Sequence, residues 1–482
     1  MKNVLLKFVK THYLIVIFLL FYFFITATKF VTSPTPFYDW DESIYAQVGR
    51  EMVRQKSAIP LWQGQFWLDK PPLVPLAYGI VENIFPKYPE LSTRIFTLFL
   101  AIFVLSLTYV IYSRLTKNTI IPTLAIIITS FTTIFLQRTQ VLNVDVFLLL
   151  GWLGYIVFYD NFWISLLFLA IGVLSKSVLG FYPIIAYFCL YTFQLISKQI
   201  KQKDYKKFLT KLFIQSSVLL FWYVVMFAIF KMSFIRAHFY DSLLKRVTSS
   251  IESHFGKRTF YIDLLFNQLG NYVLLSVIGL IAVTREFFKK KDYRSVMFAV
   301  FFVPWFLFLN ATKTKIDWYL YPVLAQFAFL AVYLLQIIKK YKFLSYSLFL
   351  LITFFIIKDN VASGAFFNTH YSNYDDSYRL ALYAKGNCQS INLLVDRGSR
   401  QTHDTLKNMN LLIGTSEWWG NHPSMVYYSD KKVNFIYETA LFNLSLKEGN
   451  KYDCYVIDKG DSPAFTDIKN TVLFGDFLLF KK

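Results

Sequence analysis

"YLIVIFLLFYFFITATKFVTSPTPFYDWDESIYAQVGREM", Tyr13 to Met52, runs from an apolar helix straight into a crowded acidic turn. Its first half comes close to the roughly 20 apolar residues that cross about 30 Å of hydrocarbon as a helix. No small-residue cleavage site follows it, so it is expected to stay as a span and not to be removed as a signal peptide. The second half puts Asp39, Asp41 and Glu42 within four residues, where that span ends. Carboxylates this dense beside a bilayer act either as a helix cap or as chemistry, and the rest of the chain decides between them.

The remaining sequence repeats the apolar theme. Of 482 residues, 55% are hydrophobic and 20% aromatic, with 52 Phe and 33 Tyr, far beyond the needs of a soluble core. Runs such as "FLSYSLFLLITFFII" recur, and eleven spans are expected, near 12–31, 91–113, 118–136, 141–158, 161–176, 178–197, 212–231, 263–284, 295–311, 317–337 and 343–358. With the N-terminus in the cytoplasm, Lys2, Lys7, Lys10, "SRLTKN", "SKQIKQKDYKKFLTK", "REFFKKKDYR" and "KKYK" all fall inside. That positive-inside pattern predicts a multi-pass protein of the cell membrane, N-in and C-out, and explains much of the net charge of +20 without nucleic acid.

The same topology sends residues 32–90, 231–263 and everything after 357 outside. The first outer loop is too long for a bare connection, and its pattern predicts two short helices lying on the membrane, at 41–55 and 73–85. The tail changes character: "INLLVD", "MVYYS", "VNFIYE", "YDCYVID" and "TVLFGDFLLF" read as strands, and "SYRLALYAKG" as a helix ending at Gly386. The fold class is therefore a polytopic all-α membrane domain, 1–357, followed by a small extracytoplasmic α/β domain, 358–482. Cys388 and Cys454 both lie in that outer domain, where a disulfide and two buried thiols are equally open readings. No metal-ligand spacing, glycine-rich phosphate loop or fixed-period repeat occurs.

The acidic cluster has a plain structural reading, with Asp39 as N-cap, Glu42 completing a capping box and Asp41 favouring the helix dipole. Asp41 needs no capping role, however, and its helix should rest over the outer ends of the spans. The topology collects other ionisable groups on the same face: Arg94, Arg138, Asp145, Lys176, Arg236, His238, His254, Lys313 and Lys315. Asp145, one turn into a span, is costly there and seldom idle, its structural alternative being an ion pair with Arg138 or a neighbouring helix. Lys70 in "DKPP" is held stiffly by two prolines. Cations around one or two carboxylates suit a phosphate held next to a general base.

These residues carry a resemblance. "DESIYAQVGREM" is similar to the first-loop signature of the integral membrane glycosyltransferases of GT-C type that include protein O-mannosyltransferases and lipid A aminoarabinose transferases. "FWLDKPPLVP", "LSTRIFTLFLA", "RTQVLNVDVFLLL", "GVLSKSVLGFYP" and "KTKIDWYLYP" resemble further family stretches, in order and on the same face, over about Asp39 to Pro322. The chain departs from the pattern at Ile44, where many members have Arg, and at "SKS", where they tend to have Thr-Lys-Gly.

The resemblance implies transfer of a sugar, with inversion, from a polyprenyl-phosphate donor to a surface glycan, lipid or protein acceptor at the outer face, among membrane lipids. Asp41 would be the general base, with Glu42 and Asp145 as further acids; Lys70, Arg94, Lys313 and Lys315 would bind the donor phosphate. Tyr45, Arg138, Lys176, His254 and Tyr319 are other outer-face candidates. A divalent metal stays open, because some members use one and no ligand set is evident. The rival readings are a lipid-linked glycan transporter or flippase, a glycan ligase or polymerase, and a sensor anchored by its spans. A transporter should carry charged or broken positions near the middle of paired spans, whereas the polar groups here sit at outer ends.

Overall fold

The computed structural model describes residues 11–338, 340–363, 375–464 and 471–481. Lys2, Lys7, Lys10 and Lys339, all part of the positive-inside reading, lie outside the described residues. The chain divides into two compact units, each assembled from separated segments: the first from within Met1–Ser33, Arg94–Met232 and Gly256–Thr369, the second from within Pro34–Thr93, Ser233–Phe255 and His370–Lys482.

In chain order the longer helices up to the tail are α1 (Tyr13–Thr32), α2 (Asp41–Arg54), α3 (Leu73–Ile84), α4 (Pro89–Thr116), α5 (Ile120–Ser130), α6 (Thr133–Arg138), α7 (Asp145–Val157), α8 (Phe162–Lys176), α9 (Tyr182–Ile196), α10 (Gln202–Phe234), α11 (Phe260–Leu269), α12 (Tyr272–Lys289), α13 (Tyr293–Val300), α14 (Val303–Ala311), α15 (Leu324–Tyr333) and α16 (Lys342–Ala362). Among the described residues, seven helical stretches are long and apolar enough to cross a membrane, or eight if α11 and α12, bent by 102°, form one span. This is a multi-pass helical membrane protein. By length the count falls below eleven for identifiable reasons. The expected spans 161–176 and 178–197 lie in one stretch, Phe162–Ile196. Those at 118–136 and 141–158 are represented by α5, of 11 residues, and α7, of 13, each shorter at 1.5 Å per residue than the hydrocarbon is thick.

Within the first unit, several buried hydroxyl groups are satisfied locally, as a medium without water favours. Thr108, Thr116, Thr123, Thr129 and Ser130 each donate to the carbonyl four residues back. Helices α7 and α8 meet at backbone contact: a Cβ on Gly151 would lie 2.5 Å from the Gly172 nitrogen. Small residues at such a crossing give the van der Waals packing that holds helices together in lipid.

The second unit joins the first long loop to the tail. Helices α2 and α3 match the expected 41–55 and 73–85 closely, and cross through Gly49 and Gly79, where a Cβ on Gly79 would lie 2.2 Å from the Gly49 carbonyl oxygen. The tail continues with α17 (Asp376–Asn387), β3 (Ser390–Leu394), α18 (Arg397–Asn408), α19 (Pro423–Ser429), β4 (Lys432–Ile436), α20 (Thr439–Glu448), β5 (Cys454–Asp458), β6 (Val472–Phe474) and β7 (Phe477–Lys481), after the two-residue strands β1 (Leu61–Trp62) and β2 (Gln65–Phe66) of the first loop. The five-stranded sheet runs β4-β3-β5-β7-β6, parallel across the first three strands and antiparallel across the last pairings. Its inner strands are buried on both faces, which is why "CYVI" reads as a continuous apolar run. Leu394, Phe442, Tyr455, Ile457 and Phe480 form its core, and Cys388 is disulfide-bonded to Cys454.

"MVYYS", read from sequence as a strand, is helix α19 instead. Pro423 presets the first helical turn, and the Asp39 carboxylate accepts from the Ser424 nitrogen at 2.8 Å, capping that helix from far away in the chain. A β-branched and aromatic composition misleads where the segment is buried all round, because tertiary packing then overrides propensity.

Candidate functional site

The second unit holds the acidic turn. Asp41 opens α2 and is half-buried, while Glu42 is 1% exposed and accepts from the Tyr38 nitrogen at 2.8 Å. The capping box therefore differs from the one expected: Trp40 is the N-cap, without a side-chain cap, and Glu42 reaches back to Tyr38. Asp39 is spent on the tail, accepting from Ser424 and pairing with His422 Nδ1 at 2.9 Å. Burial opposes protonation of His422, but the Asp39 hydrogen bond and the charges of Asp39, Asp375 and Asp396 outweigh it and raise its pKa above the ordinary 6.5.

One helical turn beyond Asp41 in α2, Tyr45 packs against Trp67 with ring centroids 6.1 Å apart. Trp67 in turn meets Trp419 of the tail edge to face, at the same separation. Lys70 is half-buried, and its neighbour Asp69 is buried and accepts from Thr415 Oγ1 at 2.6 Å. Burial pushes the Asp69 carboxyl up, against the opposing pull of Thr415, Lys70, Trp67 and Arg246. On the other flank, His238 Nδ1 lies 3.0 Å from the Leu68 carbonyl. Two consecutive hydrogen-bonded residues, Leu68 and Asp69, thus lead into Lys70. His254 is half-buried in a turn that closes through its own nitrogen to the Ile251 carbonyl.

The first unit holds the other candidates. Asp145, 1% exposed, sits at the start of α7 and is shared by two cations: Arg138 Nη2 at 3.2 Å and Lys176 Nζ at 2.5 Å. Arg138 also lies over the Trp318 ring at 5.1 Å, and Lys176 over Tyr319 at 4.5 Å. Arg138, Asp145, Lys176 and Tyr319 are therefore brought together. Ser177, standing where the family pattern has Gly, adopts φ 59°, a conformation natural to glycine and strained for serine. Lys315 donates to the Leu309 and Asn310 carbonyls at 3.2 and 3.0 Å, whereas Lys313 is exposed. Arg94 is buried in α4. Among the fully buried charged side chains described in this unit, four are cations, Lys29, Arg94, Arg138 and Lys315, against the single carboxylate of Asp145. Sequence reading missed Lys29, Trp318, Asp69 and Thr415. Lys29 was in principle visible as a lone lysine at the end of an apolar run; nothing marks Thr415.

Among the described residues, no three His, Cys, Asp or Glu side chains stand together as a metal site would require.

A bundle of membrane-crossing and shorter apolar helices that carries buried ionisable groups, with a first-loop acidic helix and a small α/β unit, has the GT-C class of membrane fold. A crystal structure of ArnT from Cupriavidus metallidurans bound to undecaprenyl phosphate superposes with a TM-score of 0.63 at 11% identity, over 97% of each chain. The archaeal oligosaccharyltransferase AglB from Archaeoglobus fulgidus, in complex with an inhibitory peptide and a dolichol-phosphate, gives 0.54 at 10% identity, over 92% of this chain and 70% of that one. At such identities the likeness establishes the fold. In sequence, an uncharacterized protein of Aquifex aeolicus (strain VF5) is 24% identical over 317 residues, 63% of this chain and 61% of that protein. No family model matches the sequence.

Proposed function

We propose that this protein is an inverting glycosyltransferase that moves a sugar from a polyprenyl-phosphate carrier to a cell-surface acceptor at the outer face of the membrane. The observation that carries the reading is the excess of buried cations over carboxylates in a helical bundle of this fold. Positive charge buried in excess of carboxylates is costly, and a phosphate monoester is an anion it would accept. A carrier of long prenyl chain is insoluble, so an enzyme that meets its phosphate has to be embedded in the bilayer.

In this mechanism Asp41 takes the proton from an acceptor hydroxyl as its oxygen attacks the anomeric carbon on the face opposite the phosphate. The bond from that carbon to the phosphate oxygen breaks, and its electron pair leaves on the polyprenyl phosphate. Lys70 and Arg94, with Lys313 or Lys315, stabilise the charge that gathers there. The Lys315 ammonium already donates to the Leu309 and Asn310 carbonyls. Asp145 serves by holding Arg138 and Lys176 in place. Glu42, committed to the Tyr38 nitrogen, fixes the start of α2 under Asp41. The extracytoplasmic α/β domain of 358–482 anchors the first loop that bears Asp41 and Lys70.

The test is transfer by the purified, reconstituted protein from polyprenyl-phosphate sugars. Asp41→Asn is expected to abolish turnover with folding intact, and Lys70→Ala to raise the KM for donor more than it lowers kcat. Full turnover by Asp41→Asn would remove the mechanism. Mass spectrometry of lipid-linked sugars that accumulate on deletion would name the donor.

A further inference from the structure

One of those buried cations takes no step in that mechanism. Lys29 lies in the last turn of α1 and is only 6% exposed, and among the described residues its Nζ has no hydrogen-bond partner. An ammonium in that condition costs several kcal/mol unless something arrives to pair with it. Two ordinary explanations fall short. The helix C-terminus favours a cation by no more than about 2 kcal/mol, less than the burial costs. Snorkelling would bring the nitrogen out to water, which so small an exposure contradicts.

The position of Lys29 says what would pair with it. The buried stripe of α1 runs through Phe18, Tyr22, Thr26 and Lys29. Tyr22 Oη lies 3.3 Å from Thr139 Oγ1, and Thr139 follows Arg138, whose guanidinium is paired with Asp145 beside Lys176. Lys29 stands seven residues past Tyr22 on the same face, about 10 Å further along the axis. The same unit therefore holds, along α1 and next to it, three cations for one carboxylate.

We infer that Lys29 is a further phosphate-binding residue, whose ammonium pairs with a lipid-borne phosphate. The ligand chemistry is a phosphate on a hydrocarbon chain: the monoester of a polyprenyl carrier, or the diester headgroup of a bilayer phospholipid. The monoester assignment rests on the function proposed above. The residue makes the empty protein less stable and the loaded one more so, because the ligand removes the penalty of an unpaired charge.

Lys29→Met keeps length and bulk and removes only the charge, so structural and ligand-binding roles predict different results. The full-length protein in nanodiscs is titrated with undecaprenyl phosphate, undecaprenol and inorganic phosphate, in neutral lipid and in lipid containing phosphatidylglycerol. The expected result is that unliganded Lys29→Met melts at or above wild type while its affinity for undecaprenyl phosphate falls at least tenfold, with undecaprenol binding equal in both. If the loss appears instead as a smaller stabilisation by phosphatidylglycerol, with undecaprenyl phosphate binding to neither form, the phosphate site stands and the donor reading fails. If wild type and Lys29→Met bind undecaprenyl phosphate equally and respond equally to phosphatidylglycerol, the inference about Lys29 is overturned and the donor reading is untouched. A variant too unstable to measure is replaced by Lys29→Gln, which must show the same loss.

Discussion

Replacing Asp145 by Asn tests the buried centre of the helical unit most directly. The carboxylate is 1% exposed and lies 3.2 Å from Arg138 Nη2 and 2.5 Å from Lys176 Nζ, whose side chains are 3% and 12% exposed. At an effective dielectric constant of about 20 these two contacts amount to roughly 5 and 7 kcal/mol of gross attraction. Much of that is offset by the desolvation of all three groups. What remains when one partner of a buried pair is removed is about 3–5 kcal/mol, and here two cations are stranded at once. Asp145→Asn should therefore lower the stability of detergent-solubilised protein by about that amount, read as a clear fall in melting temperature. Adding Lys176→Met removes one of the stranded cations and should recover part of the loss, so the double variant melts above the single one. Two results would refute the reasoning: Asp145→Asn within about 1 kcal/mol of wild type, the margin of an exposed pair, or a double variant no more stable than the single.

Other perturbations probe the second unit. His422 has a raised pKa, so the stability it gains from Asp39 is fully present below about pH 6.5 and is lost as pH rises through the raised value; melting followed from pH 6 to 9 should decline for wild type and flatten in His422→Gln. The Cys388–Cys454 disulfide closes a loop with a sequence separation of 66 residues, worth about 4 kcal/mol by loop-closure entropy, so the Cys388→Ser/Cys454→Ser variant should make the tail markedly more sensitive to protease; unchanged cleavage would contradict this. Gly79→Ala would put a Cβ 2.2 Å from the Gly49 carbonyl oxygen, and the α2–α3 crossing should lose about 1–3 kcal/mol, measured as a lower melting temperature that Gly79→Ser does not restore.

Sequence alone made several of these features legible because each has a local signal. Apolar length gives away spans, and the acidic turn followed by a 3.6-residue pattern predicted α2 almost to its ends. The Asp145 ion pair with Arg138 was foreseeable too, since the alternative is an isolated charge in a span. What stayed hidden depends on residues far apart in the chain. Asp39 looked like the cap of its own helix but caps α19, 385 residues on. "MVYYS" has strand composition, yet that distant carboxylate and Pro423 make it a helix. The division into units was equally invisible, since Thr415 gives no hint that its hydroxyl belongs to Asp69.

The second unit also constrains how the protein comes into being. Phe37 and Asp39 are synthesised within the first tenth of the chain, yet the Tyr428 hydroxyl and the Ser424 amide that they bind arrive only near its end. Until then the first loop has no template, and every helix of the bundle has to be made while it waits. A ribosome that stops short of residue 422 leaves a membrane-inserted product whose acidic turn has nothing to close on. Such truncations should be cleared by quality control even where every transmembrane segment is present.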